Sequence, residues 1–259
     1  MEITDISAPA DYVNRGGIQA KKYVYLFAVM AGLFFVILFY RENGKTETVS
    51  ESVILNDRNE KFIFPEKNTV TVMGNQKLFE ELWQKNEETV AFIKIPGTDI
   101  DYPVVQADNN EKYLKISFEG EESAAGAIYL DCDCDRSLEN QQVIFYGHHM
   151  RDGSMFAKID DFKDESFFRK HREIILFLPE KTVRLKTIAA VVCSAEGERR
   201  KTRFDSGEEL EGYMEDMTVN CPFRELPEGK IDRLYSFVTC SYEFENARTI
   251  LYAAREDLW

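Results

Sequence analysis

Residues 236–256 read SFVTCSYEFENARTILYAARE. Two runs rich in β-branched and aromatic side chains flank the polar stretch SYEFEN. That pattern predicts two paired strands joined by a turn. Cys240 closes the first strand, and Arg248 opens the second. The intervening stretch is long enough for a turn, so Arg248 can stand across the ladder from Cys240. Arg255 lies seven residues further on. Seven is odd, so a regular strand would turn Arg255 to the opposite face.

The same strand signals recur along the chain. VAFIKIPGTDIDYPVVQ (90–106) reads as strand, Pro-Gly turn, strand. GAIYLDCD, QQVIFYGHH, EIILFLP and TVRLKTIAAVVCSAE, with the two strands of 236–256, complete a set of roughly eight. Helical signals are fewer. NQKLFEELWQKNEET (75–89) puts Leu78, Phe79, Leu82 and Trp83 on one face. Ser154–Phe168 predicts a short helical pair. SGEELEGYMEDMTVN (206–220) places Leu210, Tyr213, Met214 and Met217 in a stripe, with acids in the first turn where the helix dipole favours them. Many short strands with few helices indicate a mainly β fold, a closed or nearly closed barrel.

The chain has 259 residues, 44% of them hydrophobic, enough for one packed domain with appendages. Net charge is −14. Nucleic acid requires clustered Lys and Arg, so a nucleic-acid partner is not expected. The short basic run Glu198-Arg199-Arg200-Lys201 reads as a solvated loop. YVYLFAVMAGLFFVILFY (23–40) carries no charge and is about as long as a hydrocarbon core is thick. Lys21 and Lys22 precede it, and Tyr23, Tyr25 and Tyr40 suit the interfaces. No small-residue cleavage site follows. The expected organisation is a cytoplasmic segment (1–22), a transmembrane signal anchor (23–40), a polar stalk (41–74) and an extracellular domain (75–259). The first 22 residues carry three acids and three bases, so the negative charge lies beyond the membrane.

Five cysteines leave at least one thiol free within a chain. Cys132 and Cys134 are too close for an easy mutual bridge, and no Cys or His pair at ligand spacing stands nearby. No metal or other cofactor is expected. Of three histidines, His171 sits in the charged run FFRKHRE and reads as a surface residue. His148 and His149 follow the strand QQVIFYG at a rim position. From pattern alone, Cys240 is either a small core hydrophobe or a nucleophile. As a nucleophile it needs an imidazole to stabilise or deprotonate its thiol. It also needs a donor for the oxyanion, a task suited to a guanidinium fork.

Taken together, WQKNEETVAFIKIPGTDIDYPVVQ, GAIYLDCD, VIFYGHHMRDGSMFAKIDDF, FFRKHREI and FVTCSYEFENARTILYAARE resemble the sortases, and among them class B. These are membrane-anchored cysteine transpeptidases of mostly Gram-positive bacteria. The resemblance spans about residues 78 to 256. It implies an eight-stranded sortase-type β-barrel with an N-terminal helix and a helix before the cysteine strand. It also implies His148, Cys240 and Arg248 as the catalytic set, with Tyr146, Ser236 and Thr239 binding substrate. The expected partners are surface proteins bearing a C-terminal sorting signal and a peptidoglycan precursor amine. Ser236-Phe237-Val238-Thr239 departs from the usual Thr-Leu-x-Thr, and Phe237 is expected to repack the groove wall. His149 stands where class B members often have Asn. A secreted cysteine protease, a pilin-polymerising sortase and an anchored module without activity are the rival readings. The pilin-polymerising class often carries a second apolar segment after the domain, and the sequence runs only to EDLW.

Overall fold

The computed structural model describes residues 72–195 and 199–259. The expected cytoplasmic segment, membrane anchor and nearly all of the stalk lie outside these residues. The first helix among the described residues begins at Val72, inside the stretch expected to be stalk. Among the described residues no helix is long and apolar enough to cross a membrane.

Eight strands form a closed barrel. They are β1 (Thr89–Lys94), β2 (Asp101–Val105), β3 (Ile128–Leu130), β4 (Gln142–Tyr146), β5 (Glu173–Phe177), β6 (Thr182–Ser194), β7 (Leu234–Cys240) and β8 (Ala247–Arg255). Around the barrel the order is β1-β2-β3-β4-β7-β8-β6-β5. Each corresponds to a strand read from the sequence. Closure leaves no sheet edge to protect. Two neighbouring pairs, β2–β3 and β4–β7, are parallel, and the other six are antiparallel. Parallel neighbours need long crossovers. The crossovers are the 106–127 connection and the chain between β4 and β7.

Alternation along the strands sorts side chains into layers. Ile93, Val143, Phe145, Tyr235, Phe237, Leu251 and Ala253 share the largest buried cluster, inside the barrel. There Phe145 and Phe237 stack with centroids 5.1 Å apart, and Phe156 meets Phe237 edge-on. Helices cover the outer faces. Helix α1 (Val72–Lys85) buries Phe79 and Leu82 against Phe92, Val105 and Phe177. Asn75 pins that helix, its amide donating to the Leu178 and Lys181 carbonyls and to Thr182. A 3-10 helix (Ala157–Lys163) and α2 (Glu165–Lys170) form the short pair expected after β4. Helix α3 (Gly207–Thr218) buries Leu210 and Met214 on Ile188, Val191 and Ile250, with Tyr213 and Met217 packed at its margin. The Ser206 hydroxyl caps α3 by accepting from the Glu209 amide, a contact worth about 1 kcal/mol.

Three expectations are corrected by this packing. His171 is not a surface residue. It is 8% exposed, lies 4.3 Å from the Phe167 ring, and its Nδ1 meets the Pro96 carbonyl at 3.1 Å. Gly97, with φ +80°, makes room for it, since a Cβ there would stand 2.7 Å from the imidazole. Phe237 does not line a groove wall, because its position in β7 points it into the barrel interior. The basic run is not simply solvated either. Lys201 pairs with Glu209, and the Arg199 and Lys201 carbonyls accept from the buried Gln142 amide.

Phe237→Ala should therefore act as a core truncation. Denaturant unfolding of the soluble domain should show a loss of about 3–5 kcal/mol, whereas a side chain in a solvated wall would cost far less.

Candidate active site

The register of β7 and β8 sets Cys240 opposite Arg248. Opposed residues of an antiparallel pair project from the same face, so thiol and guanidinium share one side of the sheet. Cys193 of β6 lies on the other flank of Arg248. On the far side of β7, the parallel pairing with β4 matches Tyr146 to Val238. Two residues beyond that pair, each strand reaches its rim, at His148 and at Cys240. The Gly147 amide donates to the Val238 carbonyl at 3.1 Å, and the Thr239 hydroxyl donates to the Gly147 carbonyl at 2.9 Å. The alignment thus continues past the last regular pair. Gly147 is required by crowding: a Cβ there would meet Ile128 at 2.4 Å and Phe156 at 2.6 Å.

His148 and Cys240 lie within hydrogen-bonding reach through their side chains. The imidazole Nε2 is 2.9 Å from the Leu114 carbonyl. A carbonyl only accepts, so Nε2 carries a proton in this arrangement. Nδ1 is then the nitrogen free to exchange a proton with the thiol. The electrostatics follow the geometry. The Cys240 thiol is held below its ordinary pKa, first by its hydrogen bond to His148, against burial, and then by the Arg248 charge. The His148 imidazole is raised, mainly by the same bond to Cys240, with burial opposing. The other buried thiols move the opposite way. Desolvation pushes Cys134 up to about 12 and also raises Cys193. All five cysteines are free thiols, and Cys240 is the one whose surroundings favour the thiolate.

His149 plays a different part from His148. Its Nδ1 meets the Cys240 backbone carbonyl at 3.0 Å, and its ring packs edge-on to Tyr242. It therefore binds the main chain rather than the thiol. Arg255 is remote, at the other end of β8, paired with Asp257.

The residues expected to bind substrate are placed less simply. Tyr146 is partly exposed; its hydroxyl donates to Asp131 at 2.9 Å and its ring stacks on Tyr129. Ser236 shares the Cys240 face but is 3% exposed, its hydroxyl on Gln142. Gln142 in turn holds the 199–201 segment above it. Thr239 is 2% exposed and points into the barrel. Thr239 supports the His148 rim through Gly147 and does not face the open side, because it alternates with Cys240 along the strand.

Neighbouring features escaped the sequence reading. Asp131 is fully buried and receives a two-pronged ion pair from Arg200, at 2.6 and 2.9 Å, besides the Tyr146 hydroxyl and the Asn110 amide. Arg200 also reaches Asp133 at 2.6 Å. Ligand atoms of Asp131, Cys132 and Asp133 lie within 4.8 Å of one another, and the Arg200 guanidinium pairs with both carboxylates. This cluster straps the β6–β7 connection to the β3–β4 turn beside the groove. Burial pushes Tyr129 up to about 12, and its phenol also senses Asp131, Cys240 and Arg248, which places it on the same side of the sheet. A run of acids such as DCDCD signals only a polar turn until its long-range partner is known.

The closed eight-stranded barrel matches the solved structures of sortase B. No protein-family model matches the chain. Sortase B of Staphylococcus aureus is 27% identical over 179 residues, covering 68% of this chain and 73% of that protein. The crystal structure of Clostridium perfringens sortase B is 30% identical with a TM-score of 0.65, over 68% of this chain and 98% of that one. A Staphylococcus aureus sortase B–substrate complex is 26% identical with a TM-score of 0.65, over 70% and 85%. The chain belongs to the sortase B family, whose members are transpeptidases.

Iodoacetamide alkylation of Cys240 should proceed with a midpoint pH below the ~8.5 of an ordinary thiol. His148→Ala should move that midpoint upward, because the largest influence lowering it is removed. Mass spectrometry of the Cys240 peptide across a pH series would read both, with Cys240→Ala as the blank.

Proposed function

We propose that Cys240, His148 and Arg248 carry out the transpeptidation. They would act on a C-terminal sorting signal of surface proteins, cleaved after a threonine or a similar residue. The single observation that supports this most is the placing of a depressed thiol between an imidazole and a guanidinium on three adjoining segments. In the first half-reaction the Cys240 sulfur bonds to the scissile carbonyl carbon. The Arg248 guanidinium, permanently charged and forked, stabilises the oxygen as it becomes anionic. The carbon–nitrogen bond then breaks, and His148 gives its proton to the departing amine. A thioester now joins substrate and enzyme.

In the second half-reaction an amino group attacks the thioester carbonyl. His148 takes the proton from the incoming amine, and Cys240 leaves as thiolate. The new amide joins the surface protein to its acceptor, for which we infer a peptidoglycan precursor amine. Neither metal nor nucleotide enters the scheme. Substrate engagement is supported by a relative, since Staphylococcus aureus sortase B has been solved as a substrate complex. Tyr146 is the best placed of the expected substrate contacts. Ser236 would need the 199–201 segment to shift before it could touch a peptide.

We also infer that residues 23–40 anchor the enzyme in the cell membrane, with the barrel on the outer side. Eighteen uncharged residues bounded by Lys21-Lys22 and Arg41 support this. Anchoring there would hold the enzyme where exported substrate and lipid-linked precursor meet. A secreted protease would share the nucleophile and base but let water resolve the acyl-enzyme. The family membership disfavours it.

The deciding experiment incubates the soluble domain with quenched peptides of the x-P-x-T-x type, with and without an added amine. Product should carry the amine. Cys240→Ala should abolish cleavage, His148→Ala should slow it by about 10²–10⁴-fold, and Arg248→Ala by about 10²–10³-fold. Cleavage indifferent to the amine would instead mark a protease.

A further inference from the structure

Asp160 lies in the 3-10 helix Ala157–Lys163, on the connection that leaves β4 through His148. One of its oxygens, Oδ1, accepts from Thr249 Oγ1 at 2.5 Å and from Lys163 Nζ at 2.7 Å, and lies 3.2 Å from Ser241 Oγ. Ser241 directly follows Cys240, and Thr249 directly follows Arg248. Both hydroxyl residues are buried, at 5% and 0% exposure. Lys163 also pairs with Glu243 of the β7–β8 connection, and Glu243 accepts from the Ser241 hydroxyl.

Successive residues of a strand point to opposite faces. This polar knot therefore sits behind the sheet, on the reverse side of Cys240 and Arg248. One carboxylate oxygen there touches the neighbours of two reacting residues and belongs to the segment that carries the third. Bonds to an ionised acceptor are stronger and shorter than neutral ones. The Asp160 side chain is only 19% exposed, and water competes weakly for bonds in such a site.

We propose that Asp160 is a positioning residue for the transpeptidation, fastening the strand positions beside Cys240 and Arg248 to the segment that bears His148. The inference rests on the reading of those three residues as the reacting set. Catalytic groups need placement within a fraction of an ångström. Three separate segments reach this rim, and ladder hydrogen bonds join β7 to β8 without extending to the 157–163 helix. Asp160, together with Lys163, ties that helix to the two strands.

The test compares Asp160→Ala, Asp160→Asn and the double variant Ser241→Ala/Thr249→Val with wild type, each first checked for folding by circular dichroism. Two quantities are read: kcat and KM on the peptide that wild type cleaves best, and the midpoint pH of Cys240 alkylation by iodoacetamide. Asp160→Ala should lower kcat by about 10- to 100-fold with KM within about twofold. It should also move the alkylation midpoint up toward that of an ordinary thiol. Asp160→Asn keeps an acceptor for the Thr249 hydroxyl and a polar contact for Ser241, and should recover most of the loss. The double variant leaves the ion pair with Lys163 and should repeat the kcat and midpoint changes. It decides the matter if Asp160→Ala does not fold. Folded variants with wild-type kcat and midpoint would overturn the proposal. If Cys240→Ala still cleaves, the assignment of the reacting set fails. If Cys240→Ala is dead while the Asp160 variants are unchanged, only the positioning role fails.

Discussion

The parallel pairing of β4 with β7 is the constraint on which the site depends. Two strands running the same way end at the same rim of the barrel. Residues that lie equally far past a matched pair then stand side by side. Tyr146 matches Val238, so His148 and Cys240 meet two positions later. An antiparallel pairing of the same strands would send their ends to opposite rims. The pairing is secured from inside by the Phe145–Phe237 stack, whose burial also excludes water from the ladder. Beyond the last pair it is secured by the Gly147 and Thr239 hydrogen bonds.

Given that alignment, charge does the rest. A half-buried thiol alone would resist ionisation, as Cys134 and Cys193 do. Cys240 differs because an imidazole and a guanidinium approach it from two neighbouring segments. The imidazole is itself oriented by the Leu114 carbonyl, which lies 2.9 Å from Nε2. The β2–β3 crossover is thus part of the site, although it contributes only a backbone oxygen. The Asp131–Arg200 strap has a similar character. It holds the β6–β7 connection beside the groove and leaves Gln142 to keep Ser236 covered.

Much of this was legible in the residues. Short runs rich in β-branched and aromatic residues, bounded by polar or turn-forming stretches, marked all eight strands. The stripe at Leu210 and Met214 marked α3. The hairpin from Cys240 to Arg248 followed from a polar stretch between two β-rich runs. His171, Arg200 and Phe237 were misread for one shared cause. Each has its environment set by residues distant in sequence: Pro96 and Gly97 for His171, Asp131 for Arg200, Phe145 for Phe237. Local polarity around His171 and Arg200 is real, yet it does not reveal the partner that buries or pairs them. Thr239 was expected at the substrate groove. It alternates with Cys240 along β7 and is 2% exposed, its hydroxyl on the Gly147 carbonyl.

By itself the sequence determined the strands, the amphipathic helices, the chemical types gathered at the ends of β4 and β7, and the uncharged run at 23–40. These follow from side-chain periodicity and residue chemistry, which are local properties. Tertiary structure alone decided the order of strands around the barrel. It also decided that His149 binds the Cys240 main chain, and that Asp131 and Arg200 meet beside Tyr146. Those outcomes depend on register and closure. A shift of one residue would turn every side chain of a strand to the other face, and only the packed barrel fixes that choice.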